Sequence, residues 1–241
     1  MSKQDPLNKL PISAVLMAGG KGTRLLPLTK KIPKPLLKVN DKEIILYNYE
    51  ALKNLGVDEF FITVNYLKDQ IVDFFSSLSE KEAQVNFVEE SKFLGTIGAL
   101  SLIHNFKHDT ILLMNSDLLT NINFSEMFKH HQSLKNDVTI ATKEYQVKVP
   151  YAVLETKNNR ITSIKEKPTL KLKSNAGIYM INNSLLSRLQ PNEFCNAPDF
   201  VEDLINEDFK VGYFDIKDYW LDIGKKDDFD KAQKDIIKLK F

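Results

Sequence analysis

The stretch ISAVLMAGGKGTR, Ile12 to Arg24, reads as a buried strand that breaks into a glycine-rich turn. Ile12–Met17 is apolar apart from Ser13 and ends at small residues. A run this short is better suited to a strand covered on both faces than to a helix. Glycines directly after such a strand let backbone N–H groups converge on phosphate oxygens with no Cβ in the way. Two familiar phosphate loops do not match. Gly20-Lys21-Gly22-Thr23 lacks the closing Gly-Lys-Ser/Thr of the P-loop. The dinucleotide fingerprint requires a third small residue where Leu25 stands. Pro27 and Pro33 argue against a regular helix from residue 24 onward. By glycine spacing alone, a plain glycine-rich turn is the favoured reading.

Two cations add to the turn. Arg24 closes it, where a guanidinium can take two phosphate oxygens at once. Lys34 lies between Pro33 and Pro35, so its backbone has little freedom and loses less entropy on meeting a ligand. Downstream, Leu36–Val39 reads as extended, and Ile45, Tyr49, Leu52 and Leu55 mark a helix over Glu43–Leu55 stopped by Gly56. Strands follow at Phe60–Val64, Val85–Val88 and Ile111–Met114. Between and after them come helices through Leu67–Leu78, at Gly98–His104 and at Ser125–His131. This alternation argues a mostly parallel α/β sheet with helices on both faces.

After about residue 137 the pattern turns β-rich. Val138–Tyr145, Tyr151–Glu155, Ile161–Glu166 and Asn175–Met180 read as strands, with a turn at Lys157–Arg160. Short helices are expected at Ser184–Leu189 and Asp199–Asn206, extended runs at Val211–Asp215 and Tyr219–Ile223, and a last helix at Asp227–Ile237. Residues 1–11 read as a polar tail or linker and 12–241 as a single domain. Its halves, 12–137 and 138–241, are expected to share one continuous sheet.

Composition narrows the function classes. The chain has 241 residues with 33 Lys plus Arg against 32 Asp plus Glu, a net charge of +1. That balance argues against sequence-independent nucleic-acid binding through a positive field. One cysteine, Cys195, excludes an internal disulfide and a cysteine-based zinc site. No apolar run approaches the ~20 residues of a membrane span, and the start is not a signal peptide. A cytoplasmic protein is expected. The four histidines form no metal or triad pattern.

Taken further, MAGGKGTRLLPLTKKIPKPLLKV (Met17 to Val39) resembles the signature of the sugar-phosphate nucleotidylyltransferases, and most closely the guanylyltransferase branch. FLGTIGAL (Phe93–Leu100), NSDLL (Asn115–Leu119), PYAVLE (Pro150–Glu155), KEKP (Lys165–Pro168), NAGIYM (Asn175–Met180) and YWLDIG (Tyr219–Gly224) follow in the family's order. The resemblance implies a Rossmann-like mixed sheet whose first half binds nucleotide and whose second, β-rich half binds sugar phosphate. It implies an NTP and a sugar 1-phosphate as substrates and Mg²⁺ as cofactor.

By that resemblance Arg24, Lys34 and Asp117 are the catalytic candidates. Ala18, Gly19, Gly20, Gly22, Thr23, Glu89, Glu90, Gly95 and Thr96 are the nucleotide candidates. A carboxylate at Glu89 or Glu90 matches the two N–H donors on one edge of guanine, which favours GTP. Ala152, Glu166, Lys167, Asn175 and Gly177 are the sugar-phosphate candidates, with Ala152 standing where the family more often has glycine. Asp117 follows a buried strand at its C-terminal edge, where open α/β sheets bind ligands. Asp222 is an acid in an apolar run that needs a partner. In the family the matching pair holds Mg²⁺. A catalytically weak nucleotide-sugar-binding subunit, an enzyme for another phosphate substrate, and a homodimer are left open.

Overall fold

The computed structural model describes residues 9–78 and 84–239. Its first strand, β1 (Ile12–Met17), is buried on both faces. Ile12, Ala14 and Leu16 enter one core cluster and Val15 the opposite one. The strands that follow are β2 (Lys38–Val39), β3 (Lys42–Glu43), β4 (Glu59–Val64), β5 (Gln84–Glu89), β6 (Thr110–Asn115), β7 (Leu118–Thr120), β8 (Val138–Lys148), β9 (Val153–Lys157), β10 (Arg160–Lys165), β11 (Thr169–Asn182), β12 (Val211–Asp215) and β13 (Trp220–Asp222).

Among the described residues the main sheet has seven strands in the order β12-β8-β11-β6-β1-β4-β5. Only β11 runs against the rest. The helices α1 (Ile44–Asn54), α2 (Lys68–Ser77) and α3 (Phe124–Ser133) cover one face, and α4 (Ala197–Asn206) the other. This is the mostly parallel, two-faced sheet that the β-α alternation predicts. α5 (Lys226–Asp235) sends Ala232 into a third cluster with Leu25, Leu37, Leu119 and Ile223. That cluster fastens the segment after the glycine turn to β7 and to the end of β13.

Several elements differ from the expectation. Gly98–Leu102 and Asn183–Arg188 are 3-10 segments instead of α-helices. Gly98 starts its segment with its N–H, like that of Ile97, bound to the Cys195 carbonyl, so a tertiary contact sets its entry. β11 begins six residues earlier than read, because Thr169–Asn175 pairs in unbroken register with β8. The alternation in Thr169-Leu170-Lys171-Leu172-Lys173 carries that signal. The sheet is also not continuous over the second half. β9 pairs only with β10, and β13 only with β7. Residues 1–8 of the expected tail lie outside the described residues. Leu10 is buried, and its N–H donates to the Leu55 carbonyl at 2.9 Å.

Candidate active site

The glycine turn leaves the C-terminal end of β1. Gly22 has φ +60°, and its carbonyl accepts from Thr29 Oγ1 at 2.8 Å. A Cβ there would lie 2.9 Å from Thr29 Cγ2 and 3.1 Å from Lys34 Cβ, so the turn closes only without a side chain. The next turn buries Leu25 and leaves Arg24 exposed, with its guanidinium beside Gly224. Ala18 and Gly19 are buried, Gly20 and Thr23 are exposed.

Lys34 is 8% exposed, unusual for a lysine. Its ammonium is ion-paired with Asp117 Oδ2 and lies 4.0 Å from Asp222 Oδ1. Pairing of β7 with β13 brings the two acids to the same place. Asp222 stands opposite Leu118, and the Ile223 N–H donates to the Asp117 carbonyl at 3.2 Å. Buried Asn48 on α1 fixes β7 by donating to the Leu118 carbonyl at 2.7 Å.

Oδ1 of Asp117 and Oδ1 of Asp222 are both buried with no hydrogen-bond partner among the described residues. Such oxygens are costly unless a cation or donor meets them. Burial, and then the Asp117 charge, push the Asp222 carboxyl above its usual range, against the pull of Lys34 and Arg24. A cleft of about 230 Å³ opens here, lined by Gly20, Thr23, Arg24, Lys34, Ser116 and Asp117 among others. It holds two cationic side chains, a glycine backbone and at least one acid at the carboxyl ends of β1 and β6. That chemistry suits a polyphosphate with a divalent ion.

The other nucleotide candidates split. Glu90 is buried directly behind the glycine turn. A Cβ on Gly19 would come 2.5 Å from its Oε1, and its Oε2 accepts from the Leu94 N–H at 2.9 Å. Burial raises its carboxyl, with the Leu94 and Thr63 hydrogen bonds opposing. Glu89 is exposed and paired with Lys68. Gly95, at φ +81°, and Gly98 press against the segment Glu193–Cys195, and a Cβ on Gly95 would come 2.3 Å from the Cys195 carbonyl. Thr96 Oγ1 accepts from the Ala197 N–H at 2.7 Å and so caps the start of α4.

The sugar candidates form two groups. Gly177, at φ +70°, faces Asn115: a Cβ would come 2.5 Å from Asn115 Nδ2. Asn175 Oδ1 accepts from the Gly177 N–H at 2.9 Å, at the point where the register of β11 against β8 shifts. Trp220 Nε1 donates to the Ala176 carbonyl at 3.0 Å, which ties this bulge to β13, the strand that carries Asp222. Ala152, Glu166 and Lys167 lie at the base of the β9–β10 hairpin and are exposed. Lys167 Nζ is 4.0 Å from Glu166 Oε1, and among the described residues neither pairs with the cleft's acids or lysine.

Sequence reasoning missed the clasp between Leu94–Gly98 and Cys195–Ala197, the anchoring Asn48, and the Gly224 contact of Arg24. Their partners lie far away in sequence and leave no local signal.

The structure thus combines a Rossmann-like sheet with a cationic, glycine-lined cleft at whose edge two acids converge on one lysine. The nucleotidyl transferase family's sequence profile matches residues 13–238, and the chain belongs to that family. It is 32% identical over 228 residues to the mannose-1-phosphate guanyltransferase of Schizosaccharomyces pombe, covering 90% of this chain and 62% of that one. It is 33% identical over 234 residues to the mannose-1-phosphate guanyltransferase of Aspergillus oryzae, with the same 90% and 62% coverage. The chain thus spans less than two thirds of the length of these relatives. Among solved structures, HddC from Yersinia pseudotuberculosis superposes with a TM-score of 0.71 at 26% identity, covering 93% of this chain and 99% of that one. No helix among the described residues is long and apolar enough to cross a membrane.

Proposed function

We propose that the chain joins an NTP, with GTP favoured, to a sugar 1-phosphate, giving an NDP-sugar and pyrophosphate. The observation that carries this reading is the buried Lys34 ammonium set between Asp117 and Asp222 beneath the glycine turn. The guanyltransferase relatives support the guanine preference and the sugar 1-phosphate.

In this reading one oxygen of the sugar 1-phosphate attacks the α-phosphorus in line, and pyrophosphate leaves. No covalent enzyme intermediate is required. Catalysis is positioning and neutralisation of phosphate charge. Backbone N–H groups of Gly19–Thr23 receive the triphosphate. Arg24 meets its outer phosphates, Lys34 its α-phosphate, and Lys167 the attacking phosphate. Residues 12–137 are the nucleotide half and 138–241 the sugar-phosphate half. One cysteine suits a cytoplasmic setting.

Asp117 and Asp222 fit a Mg²⁺ ion, because each offers a buried oxygen atom without a hydrogen-bond partner among the described residues. Two carboxylates, with substrate phosphates and water completing the shell, match the habit of that ion. When bound it would offset charge on the phosphates. The test is pyrophosphate release over a panel of NTPs and sugar 1-phosphates, with a chelated control. Release with GTP and a hexose 1-phosphate, lost on chelation, is expected. Release with no pair at all would overturn the reading.

A further inference from the structure

The strap between Arg24 and Lys34 is anchored by Leu25 at one end and Pro33 at the other, both buried. Between these anchors Leu26, Pro27, Leu28, Lys30, Lys31 and Ile32 are exposed, and Thr29 is the buried exception. A segment with so little apolar burial takes its shape from hydrogen bonds. Within the strap the Lys30 N–H bonds the Pro27 carbonyl at 3.1 Å, and Thr29 Oγ1 closes it onto the Gly22 carbonyl.

The connector from β4 to α2, residues 65–67, grips both the strap and the glycine turn. The Tyr66 hydroxyl donates to the carbonyls of Thr29, at 3.1 Å, and Lys30, at 3.2 Å. Gln70 Nε2, in the first turn of α2, donates to the Lys31 carbonyl at 2.9 Å. Asn65 Nδ2 donates to the Glu90 carbonyl at 2.6 Å, and a Cβ on Gly19 would lie 3.4 Å from Asn65 Cβ. Leu67 is left-handed, with φ 51° and ψ 36°, which a bulky side chain rarely adopts. Such a conformation persists where its surroundings over-determine it. Here Tyr66 on one side holds the strap, and Lys68 on the other pairs with Glu89.

We propose that Tyr66 is a positioning residue for the nucleotide. Its hydroxyl fixes the Thr29 peptide, and Thr29 Oγ1 fixes the Gly22 carbonyl. The glycine turn, Arg24 and Lys34 are thereby set before the triphosphate arrives. This role rests on the reading that the turn and these two cations receive the triphosphate. Ordering the strap in advance removes an entropy cost that binding would otherwise bear. Tyr66 acts through Thr29 and not on the substrate itself.

Titration calorimetry of the full chain with the α,β-methylene analogue of GTP and Mg²⁺ tests this through a double-mutant cycle. Tyr66→Phe removes the hydroxyl alone, and Thr29→Val removes Oγ1. Each should weaken analogue binding about fivefold, the worth of one hydrogen bond. Together they should weaken it little more than either alone, instead of about 25-fold, because they break one chain of contacts. In Tyr66→Phe, KM for the NTP should rise while KM for the sugar 1-phosphate stays within about twofold. Its melting temperature should fall by less than about 4 °C. Should Tyr66→Phe not fold, Gln70→Met, which frees the Lys31 carbonyl, replaces it. Wild-type affinity in Tyr66→Phe, losses that multiply in the double variant, or equal rises in both KM values would overturn the proposal. A wild type that binds the analogue yet releases no pyrophosphate with any substrate pair would remove the proposed reaction and leave the binding cycle to decide on Tyr66. A wild type that does not bind the analogue would overturn both.

Discussion

At the scale of single residues, Lys34 is held on both of the site's acids. Its stem is buried and its ammonium meets both acids. Lys34→Ala should lower kcat in pyrophosphate release by about 10²–10³, as for other donors to a charged transition state. It should also lower the melting temperature, because it leaves two facing carboxylates without their cation. A folded variant with wild-type turnover would remove Lys34 from the mechanism.

Glu90 makes a separate pH statement. Burial raises its carboxyl in the folded state. The folded chain therefore holds this proton to higher pH than the unfolded chain does. The stability this contributes is full below the unfolded value and is lost as pH rises through the folded one. Glu90→Gln should raise the melting temperature at pH 7, and the gain should shrink toward zero on acidification below pH ~4. Thermal unfolding across pH measures this. An equal gain at every pH would contradict it.

At the scale of elements, the clasp between Leu94–Gly98 and Cys195–Ala197 joins the two halves of the chain. The N–H groups of Ile97 and Gly98 bind the Cys195 carbonyl, and Cys195 N–H binds the Leu94 carbonyl at 3.0 Å. Gly95→Ala combines an unfavourable φ with a clash against backbone. It should cost about 1–3 kcal/mol in urea unfolding and loosen the loop next to Glu90. Gly20→Ala is the control, since a Cβ there meets nothing within 4 Å.

Over the whole molecule, the cleft acids and the hairpin base serve different ends of the proposed reaction. Lys167→Ala should raise KM for the sugar 1-phosphate about tenfold or more and leave KM for the NTP within about twofold, the loss of one charge-assisted contact. Steady-state kinetics with each substrate varied in turn decides it. Equal effects on both would place Lys167 elsewhere.

The legible part of this protein was local. β1 and the β-α alternation were readable because a strand buried on both faces is nearly all apolar, and amphipathic helices repeat near 3.6 residues. The signature from Met17 to Val39 was readable because the turn needs glycine at Gly22, where a Cβ would strike Thr29. The pairing of Asp117 with Asp222 could be expected only from the resemblance. Neither acid carries a local mark of the other.

Tertiary structure alone decided how those pieces meet. Antiparallel pairing of β7 with β13 sets the two acids around Lys34, and Asn48 holds that pairing from a third element. The Cys195 carbonyl turns an expected helix at Gly98 into a 3-10 segment. The β9–β10 hairpin leaves the main sheet because its partners are each other. Periodicity and steric need act within a few residues and can be read along a chain. Which backbone carbonyl meets which distant N–H depends on how buried surfaces pack, and that exists only in the folded molecule.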